Sequence, residues 1–89
     1  MASLQSFEQP DLFGELQTHH VITGFNLAIG NNYTLAHFFD FMREQNPDIL
    51  DALASVCTLD ATICFEYKGS YGFHVETVSG SDFFDYMRV

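Results

Sequence analysis

The sequence predicts an α+β domain, a three-stranded, mainly antiparallel sheet with helices packed on one face. Three observations predict it. Apolar residues recur at helical spacing over 34–57, they alternate with period two over 21–29 and 61–78, and Gly- or Asn-rich stretches separate these blocks. At 89 residues, 47% hydrophobic, with ten Phe and four Tyr, the chain can close one core, so 1–89 is read as a single compact domain.

Residues 3–7 suit a short extended piece. Pro10 then opens PDLFGELQ, in which Leu12, Phe13 and Leu16 fit one face of a helix over 10–17, weakened by about 1 kcal/mol at Gly14 relative to Ala. In VITGFNLAI, Thr23, Phe25, Leu27 and Ile29 alternate with Gly24, Asn26 and Ala28, as in a strand with one buried face, and Gly30-Asn31-Asn32 ends it.

The longest apolar pattern follows. Leu35, Phe38, Phe39 and Met42 recur at i, i+3, i+4 and i+7, which predicts a helix over 34–45 with His37, Asp40, Arg43 and Glu44 outside. Asn46 is expected to supply an N-cap oxygen to a second helix, Pro47 fits its first position, and Asp48 suits the positive end of its dipole. That helix carries an apolar stripe of Ile49, Leu50, Leu53, Val56 and Cys57. The short joint turns its axis sharply from that of the first.

In ATICFEYK, Ile63, Phe65 and Tyr67 face one way, while Thr62, Cys64, Glu66 and Lys68 face the other. A hairpin into YGFHVETV is expected to have a three-residue loop, 69–71, which sets Tyr67 opposite Phe73, Phe65 opposite Val75 and Ile63 opposite Thr77. Glu66 then lies across from His74 on the polar face. A loop of Gly69-Ser70 alone mixes the buried face. Ser81 is the expected N-cap of a last helix, with Asp82 and Asp85 early in it and Arg88 at its negative end. So short a helix must dock through Phe83, Phe84 and Met87.

Phe38-Phe39-Asp40-Phe41-Met42-Arg43 recurs as Phe83-Phe84-Asp85-Tyr86-Met87-Arg88. Each copy follows a strand that begins Gly-Phe, 14 residues upstream in the first case and 11 in the second. Duplication of a β-α unit and convergence on a Phe-rich amphipathic helix both account for it.

Twelve acidic residues against three basic ones give a net charge of −9. Binding to nucleic-acid phosphates or anionic lipids requires Lys and Arg, and this chain offers only Arg43, Lys68 and Arg88, so neither direct nucleic-acid nor membrane binding is expected. No run reaches the roughly 18 apolar residues of a membrane span, and the start of the chain lacks a basic and apolar leader. The expectation is a soluble, non-secreted protein, cytoplasmic in the producing or host cell. Cys57 and Cys64 are expected as reduced, small core residues.

The search for chemistry yields little. His19, His20, His37, His74, Cys57 and Cys64 form no CxxC, HExxH or His pair at i, i+4, and the adjacent His19 and His20 point to opposite sides of a strand. Neither a metal nor a cofactor is expected. No nucleophile signature accompanies the cysteines, Asp40 and Glu44 suit a solvated helix face better than acid–base chemistry, and Gly69-Ser70-Tyr71-Gly72 joins two strands where a phosphate loop joins a strand to a helix. The chain is read as no enzyme.

Binding remains. Asp40, Glu44, Asp48 and Asp51 are spaced by 4, 4 and 3 residues, a stripe along collinear helices and two clusters at one corner when the helices kink. Carboxylates one helical turn apart, about 5.4 Å, approach the spacing of successive phosphates. In size, acidity, aromatic content and lack of a catalytic motif, the whole chain resembles small phage-encoded inhibitors such as anti-CRISPR proteins that mimic DNA. The resemblance is one of composition over all 89 residues and carries no residue assignments. It implies a non-enzymatic inhibitor or regulator of a basic, nucleic-acid-binding protein or nucleoprotein complex.

The expected contacts are Asp40, Glu44, Asp48 and Asp51, followed by Glu66 and Glu76, which are placed on the polar sheet face. The alternative is a small oligomeric or adaptor module that binds through exposed aromatic residues. Phe41 and Tyr86 lie beside the main apolar stripes and are its candidates, although the core is their better place. A homodimer is left open.

Overall fold

The computed structural model describes residues 2–10 and 16–88. Among them the order is β1 (Ser3–Pro10), β2 (Leu16–Asn26), α1 (Leu35–Gln45), α2 (Pro47–Val56), β3 (Thr62–Gly69), β4 (Gly72–Ser79) and α3 (Gly80–Met87). The four strands form one mixed sheet in the order β1-β2-β3-β4, antiparallel at both outer pairs and parallel between β2 and β3. A parallel pair needs a long crossover, and α1 with α2 supplies it.

The α+β class is as expected, but the sheet has a fourth strand. The helix expected over 10–17 has its ends in strands, with Pro10 closing β1 opposite Leu16 at the start of β2, and 11–15 lie outside the described residues. The β-branched Thr18, Val21, Ile22 and Thr23 favour extended backbone and extend β2 well ahead of the expected start. Near its end the register with β3 shifts between Thr23 and Phe25, with Gly24 at φ 79°. The bulge returns Phe25 to the face of Ile22, so Phe25, Leu27 and Ile29 are buried as expected, whereas Thr23 lies on the opposite face.

Thr34 caps α1, its hydroxyl accepting from the His37 N–H at 3.2 Å, and Phe38, Phe39 and Met42 are fully buried. The Phe38 ring lies 5.4 Å from Phe39, 5.2 Å from Phe65 and 5.6 Å from Tyr67, so one side chain ties α1 to β3. Such aromatic pairs contribute about 0.5–1.5 kcal/mol beyond the area they bury. From α2, Leu50 and Leu53 join the core, while Val56, expected in its stripe, is half exposed.

The α3 helix is capped by Ser79 rather than Ser81, its hydroxyl accepting from the Asp82 N–H at 3.1 Å. Gly80 begins it against the Thr58 carbonyl, in space that a Cβ would occupy. Phe83 is buried, and Phe84 and Met87 pack against the core as expected. Both copies of the repeated motif make the same i, i+3 ion pair, Asp40 with Arg43 at 3.4 Å and Asp85 with Arg88 at 3.8 Å. Their leading strands differ, however: Phe25 is buried and Phe73 is 87% exposed.

That exposure corrects the expected hairpin. The loop is Ser70-Tyr71, closed by Gly69 opposite Gly72, and Tyr67 lies opposite His74, Phe65 opposite Glu76 and Ile63 opposite Val78. Gly72 at φ 113° permits the tight turn. The helix-facing side accepts the polar residues because each finds a partner. His74 stacks on Tyr67 with ring centroids 5.5 Å apart, and Glu76 accepts from the Tyr33 hydroxyl at 3.0 Å. Phe73 and Val75 are consequently left on the uncovered face.

Candidate functional site

The joint between α1 and α2 is held against the end of β2 by two amides. The Asn46 side chain donates to the Asn26 carbonyl at 2.8 Å, and the Gln45 side-chain oxygen accepts from the Ala28 N–H at 2.8 Å. Asn46 therefore does not cap α2 with its side chain, as expected from sequence; it clamps the joint instead. The Ile49 N–H that a cap would serve is taken by the Asn46 backbone carbonyl at 3.2 Å.

Asp40, Glu44, Asp48 and Asp51 are all solvent-exposed, the first two on α1 and the second two on α2. Arg43 pairs with Asp40, and Arg88 with Asp85, so two of the chain's three basic side chains are engaged with acids of their own helix. Of the four acids, Asp40 is the one with a basic partner in these ion pairs.

Beside the joint lies an open groove of about 640 Å³ between the sheet and α2. Leu4, Ile22 and Phe25 from the sheet and Ile49 from α2 give it apolar walls, and Gln45, Asn46 and Asp48 form its polar part. Asp48 is the one charged residue among those lining it. Asp40, Glu44 and Asp51 stand outside the groove. An apolar cleft with an acid at its margin suits an apolar side chain flanked by a cation.

Of the second-choice contacts, Glu66 projects from the uncovered sheet face as expected, but opposite Val75 rather than His74. Glu76 does not. It faces the helices, half-buried, where the Tyr33 hydroxyl bridges it to the Tyr67 hydroxyl 2.7 Å away. The pKa of Tyr33 is raised by burial first, then by its bonds to Tyr67 and Glu76, and that of Tyr67 is raised by burial, so both phenols stay protonated and can donate. Glu76 has a structural partner, and its role as a surface contact is withdrawn.

Other reactive groups are subdued. His20 is buried, its Nδ1 2.6 Å from the Ser6 hydroxyl and its Nε2 without a partner among the described residues. Burial and the neighbouring His19 lower its pKa, which favours the neutral ring. Cys57 and Cys64 are free and half-buried, and burial raises both thiol pKa values, leaving little thiolate for nucleophilic attack. Among the described residues no three His, Cys, Asp or Glu side chains group as metal ligands, and no helix is long and apolar enough to cross a membrane.

Sequence reasoning missed the most exposed large apolar residues of the hairpin, Tyr71 at 69%, Phe73 at 87% and Val75 at 62%. The signal was present in the two glycines, Gly69 and Gly72, that bracket a two-residue turn. Phe41 and Tyr86, the aromatic candidates from sequence, pack against the core instead, with Tyr86 stacked 5.0 Å from Phe39. Comparison with family models, characterised proteins and solved structures gives no match.

Proposed function

We propose that this chain is a non-enzymatic acidic binding protein that inhibits or regulates a basic, nucleic-acid-binding protein or nucleoprotein complex, in the manner of anti-CRISPR proteins and other DNA mimics. The observation that carries the reading is the acidity of the α1–α2 surface, where Arg43 offsets Asp40 and the acids outnumber the bases. Asp40, Glu44, Asp48 and Asp51 are exposed on a joint pinned to the sheet, in a chain of net charge −9 whose two arginines are already paired. A fixed joint presents its carboxylates without first having to order them, which lowers the cost of association. The adjoining groove offers an apolar anchor beside Asp48.

The test reverses Asp40, Glu44, Asp48 and Asp51 to Lys and measures capture of the basic complex, with circular dichroism to establish that the fold is retained. Capture is expected to be abolished. A control with Asp60 and Asp85 reversed, both outside the joint, should retain it. Unchanged capture by the fourfold variant refutes the assignment.

A second reading, a module that associates through exposed aromatic residues, is favoured by Tyr71, Phe73 and Val75 at the β3–β4 hairpin. Salt separates the two readings, because screening weakens charge-driven capture and barely touches an aromatic contact.

A further inference from the structure

The acidic-surface reading leaves the free edge of β4 unused. β4 is the last strand of the sheet, and the hairpin fixes which of its backbone groups point outward. Gly69 and Gly72 flank a two-residue loop, and the residues flanking such a loop form a hydrogen-bonded pair. Hydrogen-bonded pairs then recur at every second position, Tyr67 with His74, Phe65 with Glu76 and Ile63 with Val78. Intervening residues turn their backbones away from the partner strand. Accordingly, the Lys68 carbonyl accepts from the Leu27 N–H at 3.0 Å, on the side of β2. By the same alternation Phe73, Val75 and Thr77 direct their N–H and C=O groups to the open edge. Their side chains are exposed and uncharged.

We propose that β4 pairs antiparallel with β4 of a second copy about a two-fold axis at Val75, joining two four-stranded sheets into one. Val75 then meets Val75 of the second copy, and Phe73 meets Thr77 in both halves, all at hydrogen-bonding positions that supply about six backbone bonds. The pairing uses nearly the whole strand.

Avoidance of like charge favours this register. It brings only uncharged side chains together on the uncovered face, Val75 with Val75 and Phe73 with Thr77, while His74 leans back onto Tyr67 and Glu76 is held by the Tyr33 hydroxyl of its own chain. An axis at Glu76 instead sets two carboxylate-bearing residues opposite each other, which disfavours that pairing. Glu76 is the one acidic residue in β4, so two copies of net charge −9 meet here with little local repulsion. A long apolar edge strand is otherwise a hazard that folded proteins cover or charge.

Sedimentation equilibrium of the full chain, from about 10 µM to about 1 mM, tests the proposal by mass action. The expected result is a mass rising from 10.1 kDa to twice that value. Val75→Asp places two carboxylates at the axis. Thr77→Pro removes an edge-facing N–H that the β3 ladder does not use. Each is expected to weaken the dimer at least about tenfold while far-UV circular dichroism stays unchanged. A monomer mass throughout the range overturns the proposal, as does a dimer that the folded variants form as readily as the parent chain.

Discussion

Replacement of Tyr33 by Phe tests why the β3–β4 hairpin takes a register that leaves Phe73 and Val75 in solvent. The Tyr33 hydroxyl lies 2.7 Å from the Tyr67 hydroxyl and donates to Glu76 at 3.0 Å. Tyr67 is 1% exposed, so loss of its partner leaves a buried hydroxyl without that bond, while Glu76 on the helix-facing side loses a donor. An unsatisfied buried group costs about 1–3 kcal/mol. Tyr33 and Glu76 are only half-buried, and water can replace part of the loss, which places the expected destabilisation at about 1–2 kcal/mol. For a domain of this size each kcal/mol lowers Tm by about 4–8 °C. Thermal unfolding followed by circular dichroism should therefore show a Tm drop between about 4 and 16 °C. Glu76→Gln keeps an acceptor for Tyr33 and should lose less. A Tyr33→Phe variant within about 1 °C of the parent refutes the account, because the bridge would then not be what holds Glu76 on the covered side.

Further outcomes follow from other elements. His20 has a pKa lowered by burial, so the unfolded chain binds its proton more readily, and stability should fall as pH drops below about 6.5, by at most about 1.4 kcal/mol per unit, until the depressed native pKa is reached. Urea unfolding from pH 7.5 to 5.5 should show this slope in the parent chain and a shallower one in His20→Gln. Gly80→Ala drives a methyl group into the Thr58 carbonyl and should cost about 1–3 kcal/mol by overpacking, read as a shifted urea midpoint; a neutral substitution shows that this contact is loose. Added salt should act in opposite directions on the two associations, weakening capture of a basic partner and strengthening self-association by screening the −9 charge on each copy.

The helical pair and β3 were legible because their buried residues obey one period without competition. Phe38, Phe39 and Met42, and Ile63, Phe65 and Tyr67, are all buried, and the carboxylates between them are outside. The β1–β2 pairing was not, because Leu12, Phe13 and Leu16 imitate a helical face and the strand evidence begins only with the β-branched run after Thr18. The bulge at Gly24 was hidden for a similar reason: alternation drawn straight through it places Thr23 with Phe25, whereas one extra residue changes the face. The hairpin register failed on a different principle. Ranking registers by apolar burial alone overlooks partners that arrive from elsewhere in the chain, and Tyr33, 43 residues away, makes a buried position acceptable for Glu76. Within the candidate site, the exposure of the four helical acids could be read from their spacing. The groove beside Asp48 could not, since its other wall comes from β1 and β2.

The central claim, that the acidic α1–α2 surface captures a basic nucleic-acid-binding complex, is tested most directly by affinity capture from host lysate at about 0.05 M and about 0.5 M salt, with bound proteins identified by mass spectrometry. The account predicts enrichment of such a complex at low salt and its loss at high salt. Salt-resistant capture of a neutral protein, or recovery of the chain with only itself, contradicts it.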